Sequence, residues 1–291
     1  MKKILALILI LLSAHGICGA TKYPLKIKDC RGKIITIPSQ PKRIISIAPS
    51  NTEILYAIGL ESSIVGVGSF CDYPPKVKKK PEVGDRTTSI ERVISLKPDM
   101  VLVHGFLNRQ AIPSLENHGI RVIAVDPKTI DEVVRDIRLI GKITNREKQA
   151  AQLGNRITAA RNLVRQKVAG RKSKPKVLVA IQANPLWLAG PDTFVDEMIK
   201  LVGASNIGSD AKPGYNQFST EAAVWRNPDM ILGLSKGDKK FFSRGLWKST
   251  NAGVKSRVHE VDPDIFVRPG PRLADGILTM ARLAHPNAFK Q

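Results

Sequence analysis

A fourteen-residue segment occurs twice, 130 residues apart, and constrains the fold more than any other feature of the chain. Residues 89–102 align without a gap on residues 219–232, with six identical positions. These are Ser89/Ser219, Glu91/Glu221, Pro98/Pro228, Asp99/Asp229, Met100/Met230 and Leu102/Leu232. Each copy combines a serine suited to capping a helix, a short helix, a proline stop and an apolar strand. The repeat therefore predicts two equivalent lobes.

Short β-branched runs alternate with helical patterns in both halves of the chain. The first set is Ile44–Ile47, Ile64–Val67, Met100–Val103 and Val122–Val125, and the second is Val177–Ile181, Met230–Leu234 and Arg257–Val261. Buried strands separated by helices are typical of parallel sheets, so each half is predicted to form an α/β unit. Residues 25–38 alternate around a turn at Asp29 and Gly32, which indicates a small β-hairpin.

One long amphipathic helix is predicted between the two sets, over residues 145–170. Its apolar residues share one face, because they are spaced by 4, 3, 4 and 4 positions from Leu153 to Val168. About 24 helical residues would span ~36 Å. We interpret this helix as a rigid linker between an N-terminal lobe (21–144) and a C-terminal lobe (171–291). The alternative is an ordinary surface helix within one domain.

Residues 1–20 are typical of a secretory signal peptide, which predicts export to the periplasm. Two lysines precede an unbroken apolar run, Ile4–Leu12, that is too short to span a bilayer. The small residues that follow predict cleavage after Ala20. Lipoprotein anchoring at Cys18 is the less favoured alternative, because the three residues before this cysteine fit a lipoprotein signal poorly.

Beyond residue 20 the chain contains two cysteines, Cys30 and Cys71. In an oxidising compartment two cysteines of one lobe can pair. Closing a loop of about 40 residues would add ~4 kcal/mol of stability in the chain-entropy account. We therefore predict a disulfide between Cys30 and Cys71. The alternative is two buried thiols.

Sequence signatures of catalysis are missing from the chain. It contains no phosphate-binding G-x-x-x-x-G-K-[ST] loop, no G-x-S-x-G nucleophile turn and no H-E-x-x-H zinc motif. The four histidines beyond residue 20 show no metal-ligand spacing. We therefore expect neither an enzyme nor a resident cofactor or metal.

The chain is strongly basic, with 46 lysines and arginines against 25 acidic residues and a net charge of +21. This charge permits binding to nucleic acid or to an anionic surface, and a secreted protein of that kind is the alternative from a different functional class. The basic residues are spread along the chain rather than grouped with aromatic residues in one motif. We therefore expect no nucleic-acid partner.

Aromatic and polar residues follow several of the predicted strands, where open α/β sheets place their ligands. The segments concerned are 69–75, 104–108, 184–190 and 264–272. A crevice with aromatic walls and a few polar groups suits a large, flat, amphipathic ligand. The alternative is that these aromatic residues only cover the core of each lobe.

Several motifs together resemble the substrate-binding proteins of ABC importers for iron siderophores, haem and vitamin B12. The motifs are Ser50-Asn-Thr-Glu53, Cys71-Asp-Tyr-Pro-Pro75, Ser89-Ile-Glu91, Pro98-Asp99, Ser219-Thr-Glu221, Pro228-Asp229 and Arg268-Pro-Gly-Pro-Arg272. The first two favour the vitamin B12 branch. The resemblance implies two Rossmann-like α/β lobes joined by one rigid helix, the class III periplasmic binding protein fold. It implies a corrinoid as the transported ligand between the lobes, with haem or a ferric siderophore as the alternative.

The resemblance also implies a set of ligand-binding residues. The expected set is Phe70, Tyr73, Arg86, His104, Trp187, Tyr215, Asp264, Phe266 and Arg268. Phe70, Trp187 and Tyr215 match positions at which the family places aromatic residues against the ligand, and Asp264 and Arg268 match a polar pair. Tyr73 and Phe266 lie in the segments that follow predicted strands. Arg86 and His104 stand where the family has tryptophan, and His104 is a candidate axial ligand to a metal centre in the transported molecule.

Glu91 and Glu221 occupy the same position in the two copies of the repeat. The resemblance implies that one glutamate of each lobe pairs with arginines of a two-fold permease dimer in the inner membrane. Carboxylate–guanidinium pairs suit such docking because they are directional and bidentate. The alternative is that each glutamate only compensates the dipole of its helix. We expect the binding protein itself to be a monomer.

Overall fold

The computed structural model describes residues 21–85, 87–171 and 173–290. The predicted signal peptide, including Cys18 and Ala20, and the candidate ligand residue Arg86 lie outside these ranges. Within them, no helix is long and apolar enough to cross a bilayer.

The described strands form a hairpin and two sheets. The hairpin pairs β1 (Leu25–Lys28) with β2 (Ile34–Ile37). The first sheet contains β3 (Ile44–Ser46), β4 (Ile64–Val67), β5 (Met100–His104) and β6 (Val122–Val125). The second contains β7 (Lys176–Gln182), β8 (Trp187–Ala189), β9 (Ser205–Asn206), β10 (Tyr215–Gln217), β11 (Met230–Gly233) and β12 (Val258–Glu260).

The α-helices connect and cover these strands. In the first half they are α1 (Pro49–Ala57), α2 (Ile90–Ser95), α3 (Ala111–Asn117) and α4 (Ile130–Ile143), followed by α5 (Glu147–Val168). In the second half they are α6 (Phe194–Leu201), α7 (Thr220–Trp225), α8 (Asp238–Phe242), α9 (Asn251–Val254), α10 (Asp264–Val267) and α11 (Leu273–Ala284).

The first sheet is parallel throughout and has the order β4-β3-β5-β6. Its central strands are buried along almost their whole length, as expected for a parallel sheet covered by helices on both faces. The chain enters this sheet at β3, adds β4 on one side of it, and then adds β5 and β6 on the other side. Ligands of such sheets bind at the carboxyl ends of the strands beside this reversal, which is where β3 and β5 end.

The second sheet has the order β10-β8-β7-β11-β12, and β9 also pairs with β7. Its strands β7, β11 and β12 are parallel, as the alternation of strand and helix predicts. Strands β8 and β10 are antiparallel to their neighbours and were not among the predicted strands. They carry Trp187 and Tyr215 to the edge of the sheet.

The repeated segment forms the same structure in both lobes, as predicted. Ser89 caps α2 and Ser219 caps α7, each accepting a hydrogen bond from the backbone N–H three residues later, at 3.3 and 3.1 Å. Lys97 and Asn227 adopt left-handed φ values of 45° and 53° after these helices and direct the chain into β5 and β11. The six identities therefore mark one helix–turn–strand unit that is used twice.

Helix α5 joins the two lobes and packs against α4 on one side and α11 on the other. Its 22 residues span ~33 Å. Its buried face shares one continuous apolar core with both lobes. Salt bridges join Arg156 to Asp275 of α11 at 2.6 Å, and Arg161 to Asp131 of α4. The prediction of two α/β lobes connected by a long rigid helix is confirmed.

The predicted disulfide between Cys30 and Cys71 is wrong, because both thiols are free. The backbone N–H of Cys30 donates to Ala124 at the end of β6, whereas the Cys71 sulfur lies 3.8 Å from the Ser46 carbonyl oxygen at the end of β3. Strand β5 separates β3 from β6, so two strand spacings of about 4.8 Å lie between these places. A disulfide requires Cα atoms within about 7 Å.

Candidate ligand-binding cleft

A cavity of about 610 Å³ opens between the two lobes. The N-terminal lobe contributes the loops that follow β5 and β6, and the C-terminal lobe contributes β8, β10 and the segment around α10. The lining residues are His104, Phe106, Leu107, Asp126, Pro127, Lys128, Trp187, Asp192, Thr193, Phe194, Pro213, Gly214, Tyr215, Val267 and Pro269. The carboxyl ends of the first sheet therefore face the edge strands of the second, and we refer to this space as the cleft.

Trp187 and Tyr215 form the aromatic wall of the cleft on the C-terminal lobe. Trp187 pairs with Gln217 and Tyr215 pairs with Ala189 in the antiparallel ladder, so both aromatic side chains lie on the same face of β8 and β10. Their side chains are 38% and 39% exposed, which is high for residues of this size. Two predicted site residues are therefore brought together at the cleft.

Phe106 provides an aromatic group on the N-terminal lobe. It is exposed, and the Arg109 guanidinium stacks over its ring at 4.4 Å while the Lys128 ammonium lies 6.0 Å away. Cation–π contacts of this kind help to hold the ring in its position beside the cleft. The cleft thus has aromatic groups on both lobes.

Phe70 lies in a second cavity, of about 670 Å³, that adjoins the cleft. This cavity is formed by the loops after β3, β4 and β5, and Leu107 lines both spaces. Phe70 itself is highly exposed, as expected of a residue that meets a ligand rather than a core. The aromatic surface therefore extends from the cleft along the N-terminal lobe.

His104 lies in the cleft with both ring nitrogens facing protein groups. Its Nδ1 accepts a long hydrogen bond from the Leu107 N–H at 3.4 Å, and its Nε2 lies 3.5 Å from Asp126 Oδ1. Burial lowers the pKa of His104; Asp126 raises it and Lys128 lowers it further. The imidazole is therefore neutral at pH 7, and either nitrogen would have to leave its contact to bind a metal.

Arg268 and Arg272 bridge the two lobes through buried Glu53. The Glu53 side chain is 2% exposed and accepts from Arg268 Nη1 at 3.1 Å, from Arg272 Nη2 at 2.8 Å and from Arg272 Nε at 2.9 Å. Arg268 also contacts Asp72 at 2.6 Å and Asp264 at 2.9 Å. The hydrogen bond from Arg268 and its positive charge hold the pKa of Asp72 below its usual range. We refer to these five residues as the interlobe network.

The predicted pair Asp264 and Arg268 therefore belongs to the interlobe network, beside the cleft. Tyr73 adjoins it, because the Arg272 guanidinium stacks over its ring at 4.2 Å. Tyr73 lines a different cavity, of about 560 Å³, together with Glu53 and Arg272. Asp264, Arg268 and Tyr73 thus lie close together, but they stabilise the junction between the lobes and do not line the cleft.

Phe266 is a correction to the predicted ligand set. Its side chain is 0% exposed and belongs to the core shared by both lobes. The short helix α10 turns Phe266 inward, while the following Val267 and Pro269 line the cleft. A ligand in the cleft cannot reach its ring.

Asp126 and Lys128 line the cleft, although no motif singled them out. They follow β6 directly, and the rule that ligands bind beyond the carboxyl ends of parallel strands could have identified them. Lys128 donates to Asp126 at 2.7 Å, so the pair is close to neutral. Among the described residues, no group of three or more His, Cys, Asp or Glu side chains could hold a metal ion.

Glu91 and Glu221 lie exposed in the first turns of α2 and α7, outside the cleft. The Ser89 hydroxyl donates to Glu91 at 3.1 Å, and the Ser219 hydroxyl donates to Glu221 at 2.9 Å. Hydrogen bonds from its own backbone N–H and from Ser219 hold the pKa of Glu221 below its usual range. Each lobe thus presents one preoriented carboxylate.

Residues 44–265 match the periplasmic binding protein family. An uncharacterized ABC transporter substrate-binding lipoprotein of Bacillus subtilis is 36% identical over 277 residues, which is 92% of this chain and 88% of the relative. A vitamin B12-binding protein of Pectobacterium carotovorum is 30% identical over 236 residues, covering 80% of this chain and 84% of the relative.

Solved structures of periplasmic binding proteins have a similar fold. A possible iron-binding protein of Staphylococcus epidermidis has a TM-score of 0.72 and 33% identity, covering 84% of this chain and 99% of its own. The vitamin B12-binding protein of Vibrio cholerae has a TM-score of 0.75 and 25% identity, covering 87% and 100%. A haem-binding protein of Roseiflexus has a TM-score of 0.75 and 25% identity, covering 85% and 99%.

Proposed function

The chain belongs to the periplasmic binding protein family, within the class that binds vitamin B12, haem and siderophores, and we propose that its own ligand is a corrinoid. Proteins of this class are the extracellular or periplasmic substrate-binding components of ABC transporters and are not enzymes. The partners of this chain are therefore a small-molecule ligand and a permease.

The observation that carries the proposal is the aromatic surface of the cleft. Trp187 and Tyr215 face it from one lobe and Phe106 from the other, and the neighbouring cavity adds Phe70. A corrinoid is a large, flat ring edged with amide groups. Aromatic faces suit the ring, and the backbone and polar groups around them suit the amides. The vitamin B12-binding relatives support the same assignment.

The two cations near the cleft that already contact carboxylates, Arg268 and Lys128, favour a ligand that is not strongly anionic. Arg268 already contacts Glu53, Asp72 and Asp264, so an anionic siderophore would have to displace a carboxylate to reach it. Lys128 is paired with Asp126. Breaking such partly buried ion pairs costs free energy that the ligand would have to supply. A corrinoid needs no such exchange.

Haem is the second candidate, and His104 is the observation that favours it. A neutral imidazole in an aromatic cleft can ligate haem iron. In this chain that requires His104 Nε2 to leave Asp126. Titration with haemin, followed by its visible spectrum, tests this. A spectral shift that His104→Gln abolishes would favour haem over a corrinoid.

We further propose that Glu91 and Glu221 dock the loaded protein to a two-fold permease dimer. Their equivalent positions in the two lobes and their exposure support this role. The protein would act in the periplasm after removal of residues 1–20. The name of the Bacillus relative describes a lipoprotein, which makes anchoring at Cys18 the alternative to cleavage after Ala20.

Calorimetric titration of the chain from residue 21 with cobalamin, cobinamide, haemin and a ferric siderophore tests the ligand assignment. We expect submicromolar binding of cobalamin at one site per chain. Equal binding of cobinamide would show that the corrin ring itself is recognised. Binding of haemin or of the siderophore without any heat from cobalamin would contradict the proposal.

A further inference from the structure

Residues 236–248 form an exposed basic segment of the C-terminal lobe, and we refer to them as the basic patch. Its five cations, Lys236, Lys239, Lys240, Arg244 and Lys248, are all exposed. Its single acidic residue, Asp238, is buried and accepts the Ser235 N–H at 2.9 Å. In this segment, unlike the chain as a whole, basic residues are grouped with aromatic residues.

The five cations of the basic patch lack counterions within the described residues. None of them takes part in an ion pair, whereas other exposed cations such as Lys33 and Lys76 pair with glutamates. The one acidic side chain that reaches the segment, Glu260, accepts the backbone N–H groups of Gly237 and Lys239 instead. The positive charge of the patch is thus available to a partner.

Exposed apolar side chains stand among these cations. Phe242 and Trp247 are buried and pack edge to face at 4.8 Å, which anchors the segment to the lobe. Phe241 and Leu246 remain 40% and 59% exposed. Together with Lys240 and Arg244 they line a cavity of about 480 Å³. The patch therefore combines cations with a preformed apolar recess.

We propose that the basic patch binds the surface of an anionic phospholipid bilayer. Lysine and arginine attract lipid phosphates, and apolar side chains between them enter the boundary between headgroups and acyl chains. A nucleic-acid duplex would offer phosphates to the cations but no apolar layer to Phe241 and Leu246. The combination of both groups on one anchored segment favours the bilayer.

The patch adjoins the position proposed for permease docking. Thr220, the first residue of α7, lines the same cavity as Lys240, and Glu221 is its neighbour in sequence. Contact of the patch with the bilayer would bring this end of the C-terminal lobe to the membrane in which a permease lies. That consequence rests on the proposed docking role of Glu221, whereas lipid binding itself does not.

Sedimentation with vesicles tests the proposal without any transport ligand. The chain from residue 21 is mixed with vesicles of phosphatidylglycerol and phosphatidylcholine in equal parts, or of phosphatidylcholine alone. We expect binding only to the anionic vesicles. The triple variant K239Q/K240Q/R244Q should partition on the order of 100-fold more weakly, since each cation near an anionic surface contributes about fivefold. The variant F241S/L246S should partition about tenfold more weakly.

The matched control is K78Q/K79Q/K148Q, which removes the same charge from exposed positions elsewhere. We expect it to retain most of the binding. An equal loss in the control would show that net charge alone attracts the protein and would overturn the proposal. So would a wild-type chain that does not bind anionic vesicles. Duplex DNA is then added as a competitor for the anionic vesicles. If F241S/L246S binds the vesicles as well as the wild type does, and DNA displaces the protein from them, the patch is a general polyanion site and the proposal is wrong. Circular dichroism verifies that each variant is folded.

Discussion

Replacing Glu53 by glutamine is expected to lower the free energy of unfolding by about 3 kcal/mol. Glu53 is the centre of the interlobe network, and its carboxylate accepts from both Arg268 and Arg272. Glutamine keeps the shape of the side chain but removes its charge and turns an NH₂ group toward a guanidinium. The variant therefore tests whether the charge of Glu53 holds the lobes together.

The magnitude follows from the burial and the remaining partners. The Glu53 side chain is 2% exposed, so little solvent screens its contacts. Removing one partner of a buried ion pair costs about 3–5 kcal/mol. The lower end applies here, because Arg268 retains Asp72 and Asp264, and Arg272 retains Asp264. This is a large share of a typical total of about 5–15 kcal/mol.

Urea unfolding followed by circular dichroism measures the effect, provided that the slope of the transition is unchanged. Glu61→Gln is the matched control, because Glu61 pairs with Lys76 on the surface with 44% of its side chain exposed. A surface pair contributes about 0–1 kcal/mol, so the control should change little. If Glu53→Gln costs no more than Glu61→Gln, the interlobe network does not stabilise the junction of the lobes.

Other substitutions test the cleft, the docking surface and a buried acid. Trp187→Ala should weaken ligand binding by roughly 1–3 kcal/mol in calorimetry, whereas Trp225→Ala, on an exposed position outside the cleft, should not change it. Glu91→Ala combined with Glu221→Ala should leave ligand affinity intact and reduce transport or permease-stimulated ATP hydrolysis, because both carboxylates lie outside the cleft. Burial raises the pKa of Asp136 to about 6. Between pH ~4 and ~6 the folded chain therefore binds more protons than the unfolded chain. The free energy of unfolding falls as the pH rises through this range. Asp136→Asn should abolish this loss and stabilise the fold at pH 7 by about 3 kcal/mol in urea unfolding. Both cysteines of the chain from residue 21 should titrate as free thiols after unfolding without reductant.

Each of these expectations can fail in a distinct way. An unchanged affinity of Trp187→Ala would remove that residue from the ligand site. Normal transport by the double glutamate variant would leave only a capping role, and a loss of ligand affinity would place the glutamates in the cleft. A stability of Asp136→Asn that still falls between pH ~4 and ~6 would assign the effect to another group.

The architecture could be predicted because its signals are local. Short stretches of sequence suffice to recognise each copy of the repeat, each buried strand and the 3.6-residue period of α5. Strands β8 and β10 were missed because neither contains a β-branched residue, and what pairs them is the sheet beside them rather than their own composition. The disulfide prediction failed because strand order, which separates Cys30 from Cys71, cannot be read from spacing.

The candidate site could be predicted in part. Trp187 and Tyr215 line the cleft as expected. Phe266 was misplaced because a loop aromatic can turn inward or outward, and only the packing of α10 decides. The role of Arg268 also depends on tertiary structure, since its partner Glu53 lies 215 residues away in the sequence. Long-range ion pairs of this kind leave no periodic signal.

A crystal structure of the chain with cobalamin tests the central claim most directly. We predict one corrin ring between the lobes, in contact with Trp187 and Tyr215 on one side and with Phe106 on the other, while the ion pairs of Glu53 with Arg268 and Arg272 remain intact. A ring bound elsewhere, or an empty cleft in crystals grown with saturating cobalamin, would contradict the assignment of this cleft to a corrinoid.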